Sequence, residues 1–227
     1  MDYSRIARKL REKIAGFSGE LSRGLPKVSG RFVREMVYGI QASQSVVLTK
    51  IARTLEEPIS IKKLQERLSR QLLLRQGLGK RIQKNLLRMG SELVEEDTLL
   101  ILDPSDIRKK YAKKMQYLGT VRDGSENELG NGYWTCNVVA TEIDGSGIVP
   151  LVGKLYSTEA PDWMGENSEI LTVMDLVSGV TKKRGIWVLD RGGDRRNLII
   201  PMLNRNYRFL IRLIGHRTLT HLPQFEN

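Results

Sequence analysis

The chain has 227 residues, 40% of them apolar, enough to bury a core in one domain and a smaller companion. Lysine and arginine number 37 against 26 acidic residues, and the resulting net charge of +11 points to a polyanionic partner. One cysteine and two histidines exclude a disulfide framework and argue against a thiolate- or imidazole-rich metal centre, and no apolar run has the length of a membrane span.

The charge is concentrated at one end. Residues 1–96 hold 20 Lys and Arg against 10 Asp and Glu, whereas 97–227 hold 17 against 16. The first part reads as a helical, basic nucleic-acid-binding domain attached to a second domain of different character. Within it, 31–42 (RFVREMVYGIQA) places Phe32, Met36 and Ile40 on one face, with Val33 and Val37 beside it. Residues 44–55 put Val47, Ile51 and Leu55 in line, and a break follows at Pro58. Residues 60–72 carry Ile61, Leu64, Leu68 and Leu72 as a stripe, with Ser60 as N-cap. A further helix is expected over 74–90, across Gly77 and Gly79.

The two helices of 44–72 fit a helix-turn-helix whose second member presents Lys62, Lys63, Arg67 and Arg70 to DNA. Lysine and arginine supply phosphate contacts before they supply sequence readout. A small helical bundle with a basic outer face fits the same pattern.

After residue 97 the period shortens. TLLILD (98–103) reads as a buried strand ending in an acid. RKKYAKK (108–114) packs five positive charges into seven residues, and 123–132 reads as a turn-rich link. Residues 133–143 and 148–157 form a hairpin around DGSG, 167–182 a helix with Ile170, Val173, Met174 and Val177 on one face, GIWVLD (185–190) a second strand ending in an acid, 196–206 a short helix near Pro201, and 207–214 a last strand. The order predicts an α/β domain with an antiparallel part.

Asp103 and Asp190 both end apolar strands, and ligands of open α/β sheets bind beyond the carboxyl ends of strands. If those strands are parallel neighbours, the carboxylates converge. Paired acids without histidine suit Mg²⁺ or Mn²⁺, and two such ions can serve in-line phosphoryl displacement. Each acid also has a structural reading: Asp103 can start a turn at Pro104, and Gly192-Gly193 suffices for a tight loop after Asp190. Asp106 is a local rival of Asp103, and Asp194 is expected to cap the helix at 196. A glycosidase pair fits two acids as well, but the basic N-terminal part and the lack of an aromatic sugar platform oppose it.

ILDPSDIRKKYAKKMQYLGTVRDG, GYWTCNVVA and RGIWVLDRGGDRR, with MVYGI, IARTLEEPIS and RLSR before them, together resemble DDE transposases of bacterial insertion sequences, the insertion-sequence-four type in particular, over about residues 30–214. The resemblance implies an RNase H-like mixed sheet with flanking helices (97–227) behind a helical DNA-binding domain (1–96). It implies a two-metal Mg²⁺ or Mn²⁺ site on Asp103 and Asp190. Lys109, Lys110, Lys113, Arg191 and Arg195 would lie near DNA phosphates. The implied partners are double-stranded element ends and target DNA, with a homodimer in the synaptic complex, no membrane and no small-molecule cofactor. The implied location is the bacterial cytoplasm, at the nucleoid.

The sequence departs from the pattern at its end. The third acid of the family is a glutamate on a helix after the last core strand. Glu226 is the sole acid after Ile214, in LPQFEN, which offers no helix to hold a ligand rigidly. The expectation is therefore a C-terminally truncated transposase, defective in DNA strand cleavage and strand transfer, or a non-catalytic DNA-binding regulator or inhibitor of transposition.

Overall fold

In the computed structural model, residues 3–74, 77–122 and 128–214 are described, with the side chains of Tyr3 and Leu74 set aside. The chain divides into two compact units, Met1–Met89 and Gly90–Asn227. The described residues contain seven α-helices and a six-stranded mixed sheet, and no described helix is long and apolar enough to cross a membrane.

The first unit consists of α1 (Tyr3–Leu21), α2 (Lys27–Ser43), α3 (Leu48–Thr54), α4 (Ile61–Leu74) and most of α5 (Leu78–Ser91). Its core joins Leu21, Phe32, Val33, Ile51, Ala52, Leu64, Leu68 and Leu78. Gly39 is where α2 meets α3: a Cβ there would lie 2.4 Å from Cγ2 of Ile51, so only glycine permits the approach. Buried Asn85 donates through Nδ2 to the carbonyls of Leu21 and Arg23, which the end of α1 leaves without helical donors.

Two expectations need correction here. Only Leu64 and Leu68 of the stripe on α4 are buried; Ile61 and Leu72, further towards the helix ends, are about half exposed. The helix expected from residue 74 begins at Leu78 instead, since Gly77 takes φ +85, outside any right-handed helix. Ser60 does act at the head of α4, accepting from the Lys63 N–H, at a long 3.4 Å.

Charge fastens α2 to α4. Arg67 donates from both terminal nitrogens to the two Glu57 oxygens, at 2.8 and 2.7 Å, and stands 2.9 Å from Glu35. Arg31 reaches the same two acids. The Arg67 hydrogen bond, followed by that of Arg31, holds the Glu57 carboxyl below its ordinary value of 4.5, against the opposing effect of burial. A carboxyl depressed in the folded state stabilises above its unfolded pKa, and the benefit is lost as pH falls through the folded value. Unfolding should therefore be flat above about pH 5 and turn easier below it, and Glu57→Gln should remove part of that slope. Urea titrations across acid pH check this, and a slope unchanged by the substitution would refute it.

The second unit starts with β1 (Leu99–Arg108), β2 (Gly119–Arg122), β3 (Leu129–Thr141) and β4 (Val149–Tyr156). It continues with α6 (Glu166–Thr181), β5 (Ile186–Leu189), α7 (Arg196–Asn204) and β6 (Phe209–Ile211). β3 runs antiparallel to β1 on one side and to β2 and β4 on the other. β5 runs parallel to β1, and β6 parallel to β5. The sheet order β4-β3-β1-β5-β6 is consistent with an RNase H-like fold. Leu100, Leu102, Val138, Leu151 and Trp187 are buried in the sheet, and the expected face of α6 (Ile170, Val173, Met174, Val177) is buried with them.

The hairpin turn at DGSG is present, with Asp144 Oδ1 accepting from the Ser146 N–H at 2.9 Å and with positive φ at Gly145 and Gly147. Other boundaries differ. The expected link 123–132 contributes Leu129–Gly132 to β3, where they pair with β2, a strand the sequence did not announce. The last strand is shorter than expected, Phe209–Ile211, and the last helix ends at Asn204.

Candidate functional site

β1 does not stop at Asp103. It runs on to Arg108, with Asp103 opposite Asn137 and Pro104 opposite Cys136 of β3, so the expected turn at Pro104 does not form. What ends at Leu102 is the parallel partnership with β5, whose Leu189 pairs with it. Beyond this point β1 is flanked by β3 alone, an edge on which a proline without an N–H is tolerated.

That junction is the candidate site. Asp103 follows Leu102 and Asp190 follows Leu189, so each acid stands one residue beyond the last parallel pair. Asp103 and Asp190 are both exposed. Each carboxylate is oriented by one local bond. Oδ2 of Asp103 accepts from the Ser105 hydroxyl at 2.9 Å, and Oδ1 of Asp190 accepts from the Gly192 N–H at 2.9 Å, heading a short 3-10 turn at Arg191–Gly193. Gly193 lets this turn fold back, since a Cβ there would lie 2.7 Å from that of Leu189. The tight loop expected at Gly192-Gly193 is thus present.

Both acids line a cavity of about 180 Å³, together with Glu166 and Arg195. Glu166 was not singled out from the sequence. It opens α6, a helix recognisable by its period, but only the fold brings that helix end to the acid pair. Arg195 Nη1 donates to Glu166 Oε2 at 2.6 Å. Three carboxylates against one guanidinium leave the lining with a formal charge of −2. Among the described residues no three His, Cys, Asp or Glu side chains are gathered closely enough to hold one metal ion together.

The other site residues fall elsewhere. Arg191 is exposed in the 3-10 turn. Lys109, Lys110 and Lys113 are exposed in the segment between β1 and β2. Asp106 remains within β1, opposite Trp134. Asp194 does not cap α7, whose N-cap is Arg195; it is buried, and its Oδ2 accepts from the Ile214 N–H at 2.7 Å, tying down the chain after β6. In the helical unit, Lys62, Lys63 and Arg70 are exposed on α4, whereas Arg67 is engaged with Glu57 and Glu35. Glu226 lies outside the described residues.

The sequence matches no protein-family model and no curated protein. Among solved structures it is similar to the Mos1 strand transfer complex, at 14% identity and a TM-score of 0.29. The likeness covers 79% of this chain and 57% of that one, so the chain spans little more than half that structure's length. A likeness this loose carries no argument about what the chain does.

Proposed function

We propose that the chain acts on DNA as a transposase-type protein, its basic helical unit binding duplex and its sheet unit cleaving phosphodiester bonds with a divalent cation. The observation that supports this most is the placement of Asp103 and Asp190 one residue beyond the last parallel pair of β1 and β5, in one cavity of formal charge −2. The donor set suits Mg²⁺ or Mn²⁺: carboxylate oxygens, no nitrogen or sulfur, and room for water and phosphate oxygens to complete the shell. Asp103 and Asp190 would hold the cation, which when bound supplies Lewis-acid polarisation of the phosphate and a more acidic water.

The remaining roles belong to the chain itself. Ser105 and the Gly192 N–H fix the two carboxylates. Arg195 balances Glu166 beside them and can turn to a phosphate oxygen, a contact that guanidinium geometry favours. Duplex recognition by α4, the synaptic homodimer and transfer of a freed 3′-hydroxyl to target DNA belong to the same reading.

Nicking of supercoiled plasmid by the purified chain, with Mg²⁺, with Mn²⁺ and with chelator, tests it. Cation-dependent relaxation to the open circle is expected. Salt-sensitive DNA binding without any nicking would sink the cleavage half and leave a DNA-binding regulator of transposition.

A further inference from the structure

Beside the acid cavity lies a run of aromatic surface. A pocket of about 220 Å³ is bounded by Trp134, Tyr156 and Trp163, and shares Glu166 with the cavity of Asp103 and Asp190. A second, of about 240 Å³, shares Tyr156 and Trp163 with the first and continues to Tyr133, Tyr117 and Gln116. Three residues before Gln116 stands Lys113, in the basic segment where Lys109, Lys110, Lys113 and Lys114 are exposed around Tyr111, itself 87% exposed.

The backbone of this segment is pinned to the sheet. Asn131 Nδ2 donates to the Ala112 carbonyl at 3.1 Å, the Tyr133 hydroxyl to that of Gln116 at 2.6 Å, and the Ser157 hydroxyl to that of Tyr117 at 2.6 Å. The lysines therefore project from a fixed frame at one end of the aromatic trough, and the acid pair closes the other.

Packing accounts for Tyr133 and Tyr156, which are buried, but not for Tyr111, Tyr117 and Trp163. The trough and its basic end hold six of the chain's fourteen aromatic residues, yet Trp163 is 38% exposed and Tyr117 45%. A cationic entrance followed by the open rings of Tyr111, Tyr117 and Trp163 is the chemistry that holds a single nucleic-acid strand, phosphates on the lysines and bases on the ring faces. A protein partner would find the rings but has no need of the lysines. Duplex would satisfy the lysines but keeps its bases stacked away from the rings.

We propose that this trough binds the unpaired bases of a single DNA strand leading to the acid pair, with Trp163 as the principal stacking surface. The proposal rests on the DNA-cleaving reading and deepens it: the strand acted on is separated from its complement beside the scissile phosphate.

The test compares binding of the full chain to a labelled short oligothymidylate and to an abasic strand of the same length, which keeps the phosphates and lacks the bases. Duplex binding and plasmid nicking are measured in parallel. The expected result is about ten-fold tighter binding of the base-bearing strand, the size of one or two stacking contacts. Trp163→Ala should remove the preference, and Trp163→Phe should keep most of it, showing that a lost ring rather than a lost fold is responsible. Equal affinity for the two strands, with duplex binding intact, would overturn the trough and leave the function standing. A base preference without nicking would support the trough and count against cleavage. Failure to bind any DNA would overturn both.

Discussion

Asparagine at Asp103 or at Asp190 should each reduce cation-dependent nicking by at least about a thousand-fold, while the chain remains folded and bound to DNA. The substitution keeps shape and hydrogen-bonding capacity: an amide oxygen can still accept from the Ser105 hydroxyl or the Gly192 N–H. What it removes is charge, and the lining would fall from a formal −2 to −1. A divalent ion held by only two protein carboxylates loses half its anionic protein ligands in one step. Both acids are exposed, so no buried network collapses, and relieving the repulsion between neighbouring carboxylates leaves stability within about 0.5 kcal/mol of the original. DNA affinity should stay level or rise slightly, since a negative charge beside the phosphates has gone. Melting curves and binding isotherms accompany the nicking assay. Nicking that survives either substitution would place the chemistry elsewhere on the chain.

Glu166→Gln discriminates further. If the acid pair alone anchors the cation, this change should cost far less than either aspartate, because Glu166 is occupied with Arg195 at 2.6 Å.

How much of this site was readable in the sequence depends on which interactions made it. Asp103 and Asp190 could be found because each follows an apolar run, and a covered parallel strand leaves that mark in composition alone. The register that sets them side by side could not, being decided by β1 and β5 pairing across more than eighty residues. Pro104 misled for a related reason. Proline usually ends a strand, but here β1 has already lost one neighbour, so the missing N–H costs no ladder bond. Glu166 shares a cavity with the acids only through the way the α6 end meets the sheet, which no local pattern encodes. The same holds for β2, four residues long, formed because the outer edge of β3 extends past β4. In the helical unit the periodicity of α4 was plain, while the difference between Arg67 and its basic neighbours required Glu57 and Glu35 to be in place.

That difference makes the second large effect specific. Reversing Lys62, Lys63 and Arg70 together to glutamate should weaken duplex binding by at least about a hundred-fold at moderate salt and lower the salt slope by about 3, one for each phosphate that is no longer neutralised. All three side chains are exposed on α4, so the fold has little to lose. Arg67 should behave otherwise. Its guanidinium bridges Glu57 and Glu35, at 2.7 to 2.9 Å, with 28% of the side chain exposed. Arg67→Ala would leave two partly covered carboxylates facing Arg31, at a cost of about 1–2 kcal/mol as charge-assisted hydrogen bonds disappear. The triple reversal should therefore move binding and not the urea midpoint, and Arg67→Ala should move the midpoint and leave the salt slope unchanged. If the triple reversal leaves duplex affinity unaltered, α4 is not the DNA-facing helix, and the basic segment 108–114 becomes the principal phosphate contact. If Arg67→Ala instead flattens the salt slope without loss of stability, the guanidinium exchanges its acids for a phosphate on binding, and the ion-pair network is the resting state of a DNA contact.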